Sequence, residues 1–323
     1  MSQNRGGEFG LIRWIRERSA KHPRASIGIG DDCSALRFSG DRAVLATTDM
    51  LMDGRHFQLQ ECGPESAGYK ALGVNLSDIA AMAGLPVAAL VSVALPRARA
   101  AEIAQSLHSG MAPLVDRFGL VLAGGDTNAW EGPLVISITV LGEATERGPV
   151  GRSGARPGDA VLVTGPLGGS LLGRHLRPEP RIDAALKLAE SATLHALIDL
   201  SDGLASDLGH ILQESGGLGA ILEADLIPIH ADAQRLAALD GRPALDHALA
   251  DGEDFELCLV VAPEDADRLL DRPPDGVHLH RVGWIEEGSG LRLQALDGSL
   301  APISLRGFDH FRFDAEGGPA DAG

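Results

Sequence analysis

Acidic residues crowd into one short stretch, residues 27–57, and this stretch constrains the chain more than any other. It reads IGIGDDCSAL and, after a short connection, ATTDMLMDGRHF. Asp31 and Asp32 follow a Gly-x-Gly turn, and the letters TTD end the apolar run 43–46, which predicts a strand. Neighbouring carboxylates repel each other and are tolerated only with cations or protons between them. Because hard oxygen ligands suit Mg²⁺ together with waters and substrate phosphates, the stretch predicts part of a magnesium–phosphate site.

Composition and charge narrow the classes of fold and partner. The 323 residues are enough for two domains, and 44% hydrophobic residues allow a large core without disulfides. A formal net charge of −17 argues against nucleic acids and anionic membranes, which attract clustered Lys and Arg. Any phosphate ligand must therefore be recruited by local cations, above all metal ions.

Cysteine usage and hydropathy predict a cytoplasmic protein. The three cysteines lack CxxC spacing and are expected to be reduced thiols. The sequence shows neither the hydrophobic region of a signal peptide nor a run of about 18 apolar residues. We expect neither export nor a membrane span.

Hydrophobic periodicity predicts an α+β chain of mixed connectivity. Helices are expected over 8–20, from Pro64 (with Gly63 as N-cap) to near Gly84, and over 101–118, 181–196 and 203–214, the last capped by Asp202. Strands are expected over 43–46, 87–95, 120–123, 134–141, 160–164 and 255–261. The Gly-, Arg- and Pro-rich segment 146–157 predicts a boundary between domains 1–147 and 148–314, followed by a disordered tail, 315–323.

Acidic residues recur beyond the opening stretch. A lone Asp at a turn or helix start is usually a cap or a solvated charge, which is the interpretation we favour for Asp159 and Asp207. The recurrent set exceeds what capping requires and comprises Asp32, Asp49, Asp78, Asp126 and Asp199. Such a set could assemble a site for several metal ions that neutralises a nucleotide triphosphate.

Motifs for other chemistries are absent from the sequence. Without a GxxxxGK[ST] motif, GPLGGS after strand 160–164 is interpreted as a tight turn before a helix. The carboxylates that directly follow the glycines of GIGDD argue against a dinucleotide fingerprint. Neither GxSxG nor HExxH occurs, and Cys33, beside carboxylates, is expected to be a poor nucleophile. Among the histidines, His56 next to Arg55 is favoured as functional.

A series of short motifs, in order, resembles the thiamine-monophosphate kinase family. The series is Glu8-Phe9 before Leu11-Ile12, GIGDDC, TTDMLMDGRHF, GYKALGVNLSDIAAMAG, AGGDT, RSGARPGD, IDLSDGLASDL, DGEDFEL and GFDHF, within residues 8–311. The resemblance implies the aminoimidazole-ribonucleotide-synthetase-like superfamily, with a two-domain α/β fold. It further implies an N-terminal domain that dimerises into a shared β-barrel, a C-terminal α/β domain, and ATP bound with several Mg²⁺ ions but no Walker loop.

The resemblance also assigns individual residues. Metal ligation falls to Asp32, Thr47, Thr48, Asp49, Asp78, Asp126, Asp199 and Asp202. ATP contacts fall to Gly125, Asp126, Arg152 and Ser201, contacts with thiamine phosphate to His56, Glu253 and Phe308, and catalysis to Asp49, Asp126 and Arg152. Asp31 and Asp53 are left with structural positions. The aromatic residue that the family often carries before GGDT is replaced here by LHSGM.

The implied activity is the final step of thiamine diphosphate biosynthesis. A homodimer would transfer the γ-phosphoryl group of ATP directly, in line, to thiamine monophosphate. The acceptor monophosphate is already largely ionised near neutral pH, so no strong base is required. The residues leave three alternatives open: another ATP-dependent synthetase of the superfamily, a dimetal phosphohydrolase, and a cation-binding protein without catalysis.

Overall fold

The computed structural model describes residues 25–27, 31–38 and 40–303. The predicted helix 8–20, the glycine turn at 28–30, Phe308 and the tail 315–323 lie outside these residues.

The first half of the chain forms an open sheet with two helices. Among the described residues its six strands lie in the order β1-β2-β3-β6-β4-β5, and neighbours are antiparallel except for β4 and β5. The strands are β1 (Ala25–Ile27), β2 (Ser34–Arg37), β3 (Ala43–Met52), β4 (Gly84–Pro96), β5 (Val121–Trp130) and β6 (Val135–Ala144). The helices are α1 (Leu59–Ala81) and α2 (Ala100–Phe118). Because β1 and β5 are the edges of this sheet among the described residues, the sheet is open.

Strand β3 is longer than predicted, and its alternation sorts the acidic stretch into two faces. Leu45 and Leu51 are buried on the face that packs against α1, whereas Met50 is 56% exposed on the other face. Thr47 and Asp49 share the face of Leu45, since side chains alternate along a strand. The expectation that TTD ends a strand is therefore wrong: the long antiparallel pairing with β6 carries β3 on to Met52.

Helix α1 lies in close contact with α2. Gly63 interrupts its first turn with a non-helical φ of 73°, so the main helix starts at Pro64, as predicted. A Cβ atom on Gly68 would lie 2.3 Å from the Leu107 carbonyl oxygen, and one on Gly110 1.9 Å from that of Glu65. Glycine at these positions lets the two backbones touch, which explains the small residues of α1.

The second half of the chain forms another sheet. In the part that the structure describes, seven strands follow the order β13-β12-β9-β11-β7-β10-β8, with only β9 and β12 parallel. The strands are β7 (Ala160–Val163), β8 (Leu194–Asp199), β9 (Gly219–Glu223), β10 (Leu257–Val261), β11 (His280–Glu286), β12 (Gly290–Gln294) and β13 (Leu300–Pro302). The helices are α3 (Ile182–Ser191), α4 (Leu204–Glu214), α5 (Ala231–Asp240), α6 (Ala244–Ala250) and α7 (Pro263–Asp271).

Two helices predicted in this half are corrected: one is shorter than expected, and the other is not an α-helix. The helix expected over 181–196 ends at Ser191, and the apolar residues that follow form β8, buried against β10. A short apolar run fits either a helix or a buried strand, and here the partner strand decides. GPLGGS leads into two short 3-10 turns, Ser170–Leu172 and Arg174–Leu176, and not into an α-helix.

The junction between the sheets is residues 145–159, within which the predicted boundary at 147/148 falls. The boundary itself stays a prediction. One cluster of buried apolar side chains runs from Leu45 through Leu76 of α1 to Leu188 and Leu259 of the second half, so α1 joins both sheets. Within the described ranges, no helix is long and apolar enough to cross a bilayer. All three cysteines are free thiols.

Candidate active site

Four carboxylates from four elements meet at the junction of the two sheets. Asp32 precedes β2, Asp49 lies on β3, Asp78 on α1, and Asp199 ends β8. Asp32, Asp78 and Asp199 place carboxylate oxygens within 4.8 Å of one another. Asp49 lies beside Asp78, so that the two can share a hydrogen bond when one of the carboxyl groups is protonated. Residues separated by up to 167 positions in the sequence thus build one acidic cluster, here called the acid cluster.

Hydroxyl groups beside the acid cluster hold its carboxylates in place. The Thr47 hydroxyl donates to Asp78, and the Ser77 hydroxyl donates to Asp199. Ser77 belongs to α1 and Asp199 to the second sheet, so this bond ties the two halves together at the site. Both residues are nearly inaccessible to solvent, with exposures of 0% and 2%.

Burial and mutual repulsion resist ionisation of the acid cluster. Burial is the larger cause that raises the pKa of Asp49 to about 6. Burial, followed by the neighbouring carboxylates, holds the pKa values of Asp78 and Asp199 well above the usual range. The pKa of Cys33 is also raised well above its usual value, by burial and then by Asp78, so the poor nucleophile predicted there is confirmed. Bound cations would offset this repulsion and favour the ionised form of the cluster.

Arg152 lies beside the acid cluster and pairs with it through two nitrogens of its guanidinium group. Its Nε and one Nη atom donate to the two Asp32 oxygens at 2.9 and 2.7 Å. Its backbone N–H donates to Asp31, which also accepts the Asp32 N–H. Burial, then Asp32, raises the pKa of Asp31 to about 6. Asp53 accepts the Leu59 N–H at the start of α1, so Asp31 and Asp53 both support the backbone.

A second cluster of polar side chains lies at the start of helix α4 and just before it. Asp202, Asp207 and His210 place ligand-type atoms within 4.8 Å of one another. The capping role predicted for Asp202 is wrong, because Gly203 is the N-cap residue and the Asp202 N–H donates to the Asp207 carboxylate. Asp207 is 2% exposed and not solvated, and burial raises its pKa well above the usual range. Asp207 precedes His210 by three residues, which places both side chains on one face of the helix. This spacing was the sequence signal that could have revealed the cluster.

Asp159, the other carboxylate expected to be a cap or solvated, is also buried. It is 4% exposed and accepts a hydrogen bond from the Arg156 N–H, at 2.7 Å, while pairing with the His195 ring. It therefore stabilises the turn before β7, away from the acid cluster.

The structure does not bring Asp126 to the acid cluster within one chain. Strand β5 continues through GGDT, so Asp126 lies in the strand and not in a turn after it. Across the sheet it stands in one row with Ser92, Ser137 and Met50. Residues opposite each other share a face, so Asp126 points to the exposed face, opposite to Asp49. Three strand spacings also separate β5 from β3, about 14 Å.

Thr48 also points away from the acid cluster. Its hydroxyl donates to the Ile138 carbonyl at 3.1 Å and accepts from the Thr139 hydroxyl at 3.0 Å. Thr48 was expected to bind metal together with Thr47 and Asp49. Within a single chain this is wrong, because consecutive residues of a strand face opposite ways.

The residues predicted on the acceptor side are joined by a lysine that the sequence did not reveal. Lys70 of α1 donates to both Glu253 oxygens, at 2.8 and 2.9 Å, and to the His56 carbonyl oxygen at 2.6 Å. The His56 ring accepts the Met52 N–H at 3.0 Å. The Glu253 N–H donates to the carbonyl oxygen of Ser201, so the predicted ATP and acceptor contacts are neighbours. A lysine among the Ala and Gly of α1 was the only sequence signal.

The GPLGGS turn is occupied by carboxylates of the same chain. The Gly168 N–H donates to Asp254 at 2.8 Å and the Gly169 N–H to Asp251 at 3.1 Å. Both glycines have positive φ, 87° and 74°, a conformation that points successive N–H groups at an anion. The turn therefore anchors the DGEDFEL loop, in agreement with its interpretation as a tight turn and not a phosphate loop.

Family models and relatives agree on where this chain belongs. Residues 30–144 match the family model of the AIR synthase related protein, N-terminal domain, and residues 156–295 match that of its C-terminal domain. Thiamine-monophosphate kinase from Rhodopirellula baltica is 41% identical over 95% of this chain and 98% of its own length. The enzyme of that name from Bacillus subtilis is 34% identical over 94% of this chain and 99% of its own.

Solved structures show the same architecture. AaThiL complexed with AMPPCP and TMP is 30% identical to this chain, with a TM-score of 0.81 over 96% of this chain and 99% of that one. The mixed α/β fold with two sheets is thereby confirmed. Hydrogenase maturation protein HypE in complex with ATP, 19% identical with a TM-score of 0.67, shares the fold.

Proposed function

The chain belongs to the thiamine-monophosphate kinase family, and from this membership we propose that it transfers the γ-phosphoryl group of ATP to thiamine monophosphate. The bond from the γ-phosphorus to the ADP oxygen breaks, and a bond to a phosphate oxygen of the acceptor forms, which gives thiamine diphosphate and ADP. The observation that carries the proposal is the acid cluster of Asp32, Asp49, Asp78 and Asp199. An enzyme that joins two polyanions needs such a place to gather cations.

The acid cluster fits Mg²⁺ as its cation. Its donors are hard carboxylate oxygens, which Mg²⁺ prefers, and burial raises the pKa of Asp49, so that bound cations would favour its ionised form. The residues that would hold the ions are Asp32, Thr47, Asp49, Asp78, Asp199 and Asp202. When bound, Mg²⁺ would neutralise charge on the phosphate oxygens.

Arg152 supports binding of the nucleotide phosphates. A guanidinium group matches phosphate oxygens in a bidentate manner, and Asp32 holds this one at the edge of the acid cluster. Arg152 would offset charge that develops on the transferred group. The carbonyl oxygen of Ser201 accepts the Glu253 N–H, so the loop that carries Ser201 also anchors Glu253.

Glu253 and His56 support the acceptor half of the site. A carboxylate at Glu253 suits a cationic heterocycle such as that of thiamine, and its oxygens are held in a fixed position by Lys70. Because the acceptor phosphate is already ionised, direct in-line transfer requires these residues to position the acceptor and does not require a strong base. Stacking by Phe308 stays a prediction, as does location in the cytoplasm.

The assay that tests this function combines purified protein, ATP, Mg²⁺ and thiamine monophosphate, with chromatographic separation of the thiamine species. We expect thiamine diphosphate and ADP in equal amounts. Phosphate release without acceptor would indicate a phosphohydrolase, and metal binding without turnover would indicate a cation-binding protein. Folded protein that makes no thiamine diphosphate in ample Mg²⁺ refutes the proposal.

The exposed face of the first sheet supports assembly into a homodimer. Large apolar side chains on β3, β4 and β5 are accessible to solvent: Met50, Met52, Leu85, Val87, Leu90, Val121 and Trp130. Contiguous apolar surface of this kind marks a protein interface. Strand β5 is exposed along nearly its whole length, and pairing with a second copy would remove its open edge and form a barrel shared by two chains.

The dimer also gives Asp126 a route to the metals. Within one chain Asp126 lies on the face opposite to Asp49, so we propose that it completes the site of the partner copy. A 1:1 mixture of Asp49→Asn and Asp126→Asn chains, refolded together, then forms sites with both carboxylates in half of the dimers. Activity of about a quarter of wild type is expected after random pairing. If Asp126 acts within its own chain, the mixture stays inactive.

A further inference from the structure

Lys70 is buried and has a full set of charged and polar partners. Its side chain is 1% exposed, and its ammonium group donates to Glu253 Oε1, Glu253 Oε2 and the His56 carbonyl oxygen. An ammonium group has three N–H donors, and here each has an acceptor within 2.9 Å. A buried charge is tolerated only when it is paired and hydrogen-bonded, so this geometry is held firmly.

Glu253 is held from two sides. Its backbone adopts a left-handed φ of 53°, and Phe255, two residues later, a φ of 52°. Non-glycine residues keep such conformations only where their surroundings impose them. Main-chain bonds from Glu253 to Ser201 and from Phe255 to Leu200 fix the loop within the second half of the chain. The carboxylate itself is fixed by Lys70, from the first half.

The helix that carries Lys70 also carries the contacts of the acid cluster. Ser77, whose hydroxyl donates to Asp199, follows Lys70 by seven residues. Seven residues make almost two helical turns, so both side chains leave the same face of α1, about 10 Å apart along its axis. One rigid element therefore sets the distance between the acid cluster and the carboxylate at Glu253.

We propose that Lys70 is a positioning residue for the acceptor substrate, acting through Glu253 and the main chain of His56. The inference rests on the proposed function, in which these two residues contact thiamine monophosphate. Lys70 links His56, from the first half of the chain, to Glu253, from the second half. It thereby holds the residues that contact the acceptor at a fixed distance from the acid cluster. All three donors of its ammonium group are directed at Glu253 and His56, so we expect its effect to fall on the acceptor substrate.

The test is a double-mutant cycle with steady-state kinetics for each substrate. Lys70→Met removes the ammonium group and keeps the length of the side chain. We expect the KM for thiamine monophosphate to rise at least about tenfold, because a charged partner of Glu253 is lost, while the KM for ATP stays within about twofold. Glu253→Gln and the double variant complete the cycle. The double variant should be no worse than the more affected single variant, since both changes break one arrangement.

Arg181→Met is the matched control. Arg181 is also a cation that pairs with both oxygens of a carboxylate in the same loop, Glu256. If it raises the KM for thiamine monophosphate as much as Lys70→Met does, the effect is general loosening of the loop and the inference is overturned. Additive effects in the cycle, or an equal rise in the KM for ATP, also overturn it.

If Lys70→Met fails to fold, Lys70→Gln is tested instead. It is judged by the same comparison of the KM for thiamine monophosphate with the KM for ATP. Two outcomes separate the inference from the function on which it rests. If the wild-type protein forms thiamine diphosphate but the effects in the mutant cycle are additive, only the inference about Lys70 is overturned. Wild-type protein that forms none overturns both.

Discussion

Replacing Asp49 by Asn should stabilise the metal-free protein at pH 8 while it removes activity. The native pKa of Asp49 is about 6, above the ordinary value of 3.8, and burial is the main cause. Well below pH 3.8 the carboxyl group is protonated in both the folded and the unfolded chain. As the pH rises from 4 through 6, the unfolded chain ionises it freely but the folded chain does so at a cost. Wild-type protein therefore loses stability over this interval, and Asn does not ionise.

The magnitude follows from the difference between the two pKa values. Each pH unit corresponds to about 1.4 kcal/mol, so a rise from 3.8 to about 6 corresponds to about 3 kcal/mol. We expect Asp49→Asn to raise the free energy of unfolding by up to that amount at pH 8. At pH 4.5, less than one unit above 3.8, the difference should fall to about 1 kcal/mol. The same substitution should cut turnover at least ~100-fold, about 2.7 kcal/mol of transition-state stabilisation.

Urea denaturation in the presence of a chelator, at pH 4.5 and pH 8, measures the effect. Asp41→Asn, at an exposed carboxylate in the turn before β3, is the control and should change stability at neither pH. Excess Mg²⁺ at pH 8 should stabilise the wild type more than the Asp49→Asn variant. A variant less stable than wild type at pH 8, or shifted equally at both pH values, would refute the argument from burial.

Three further substitutions test the site and the interface. Arg152→Lys keeps the charge but loses the guanidinium fork, so the KM for ATP should rise about tenfold while circular dichroism is unchanged. Gly125→Ala should reduce the free energy of unfolding by at least about 2 kcal/mol in urea, because its Cβ would lie 1.8 Å from the Val91 carbonyl oxygen. Gly124→Ala is its control, because Gly124 has nearly the same φ (154° against 152°) but the nearest atom to its Cβ would be 3.7 Å away, so the loss should be smaller. Met50→Lys places a charge on the exposed sheet face, and sedimentation should show monomers; unchanged dimers would contradict the proposed interface.

Local sequence signals predicted those elements whose ends are set by nearby residues. The second helix was expected over 101–118 and is observed over Ala100–Phe118, ending at Gly119 with a left-handed φ of 65°. The start at Pro64 after Gly63 was also predicted, since proline and glycine restrict the backbone independently of packing. The helix predicted over 181–196 was wrong only in its last part, because Leu194 and Ala196 pair with Val261 and Val260, which lie 67 and 64 positions away.

For the site, sequence motifs identified residue types and the structure decided their positions. Asp32, Asp49, Asp78 and Asp199 were expected together and do converge, although their roles as ligands stay predictions. The face of Asp126 depends on the register of four strands, which local patterns do not encode.

The amino-acid sequence alone determined the family and the acidic character of the site, because these depend on which residues are present. Tertiary structure alone decided that Lys70 pairs with Glu253, that Asp207 is buried and that Asp126 faces away from Asp49. Each of these depends on contacts between residues distant in the chain. The energy of a charge is set by its surroundings, and those surroundings exist only after α1 has packed against both sheets.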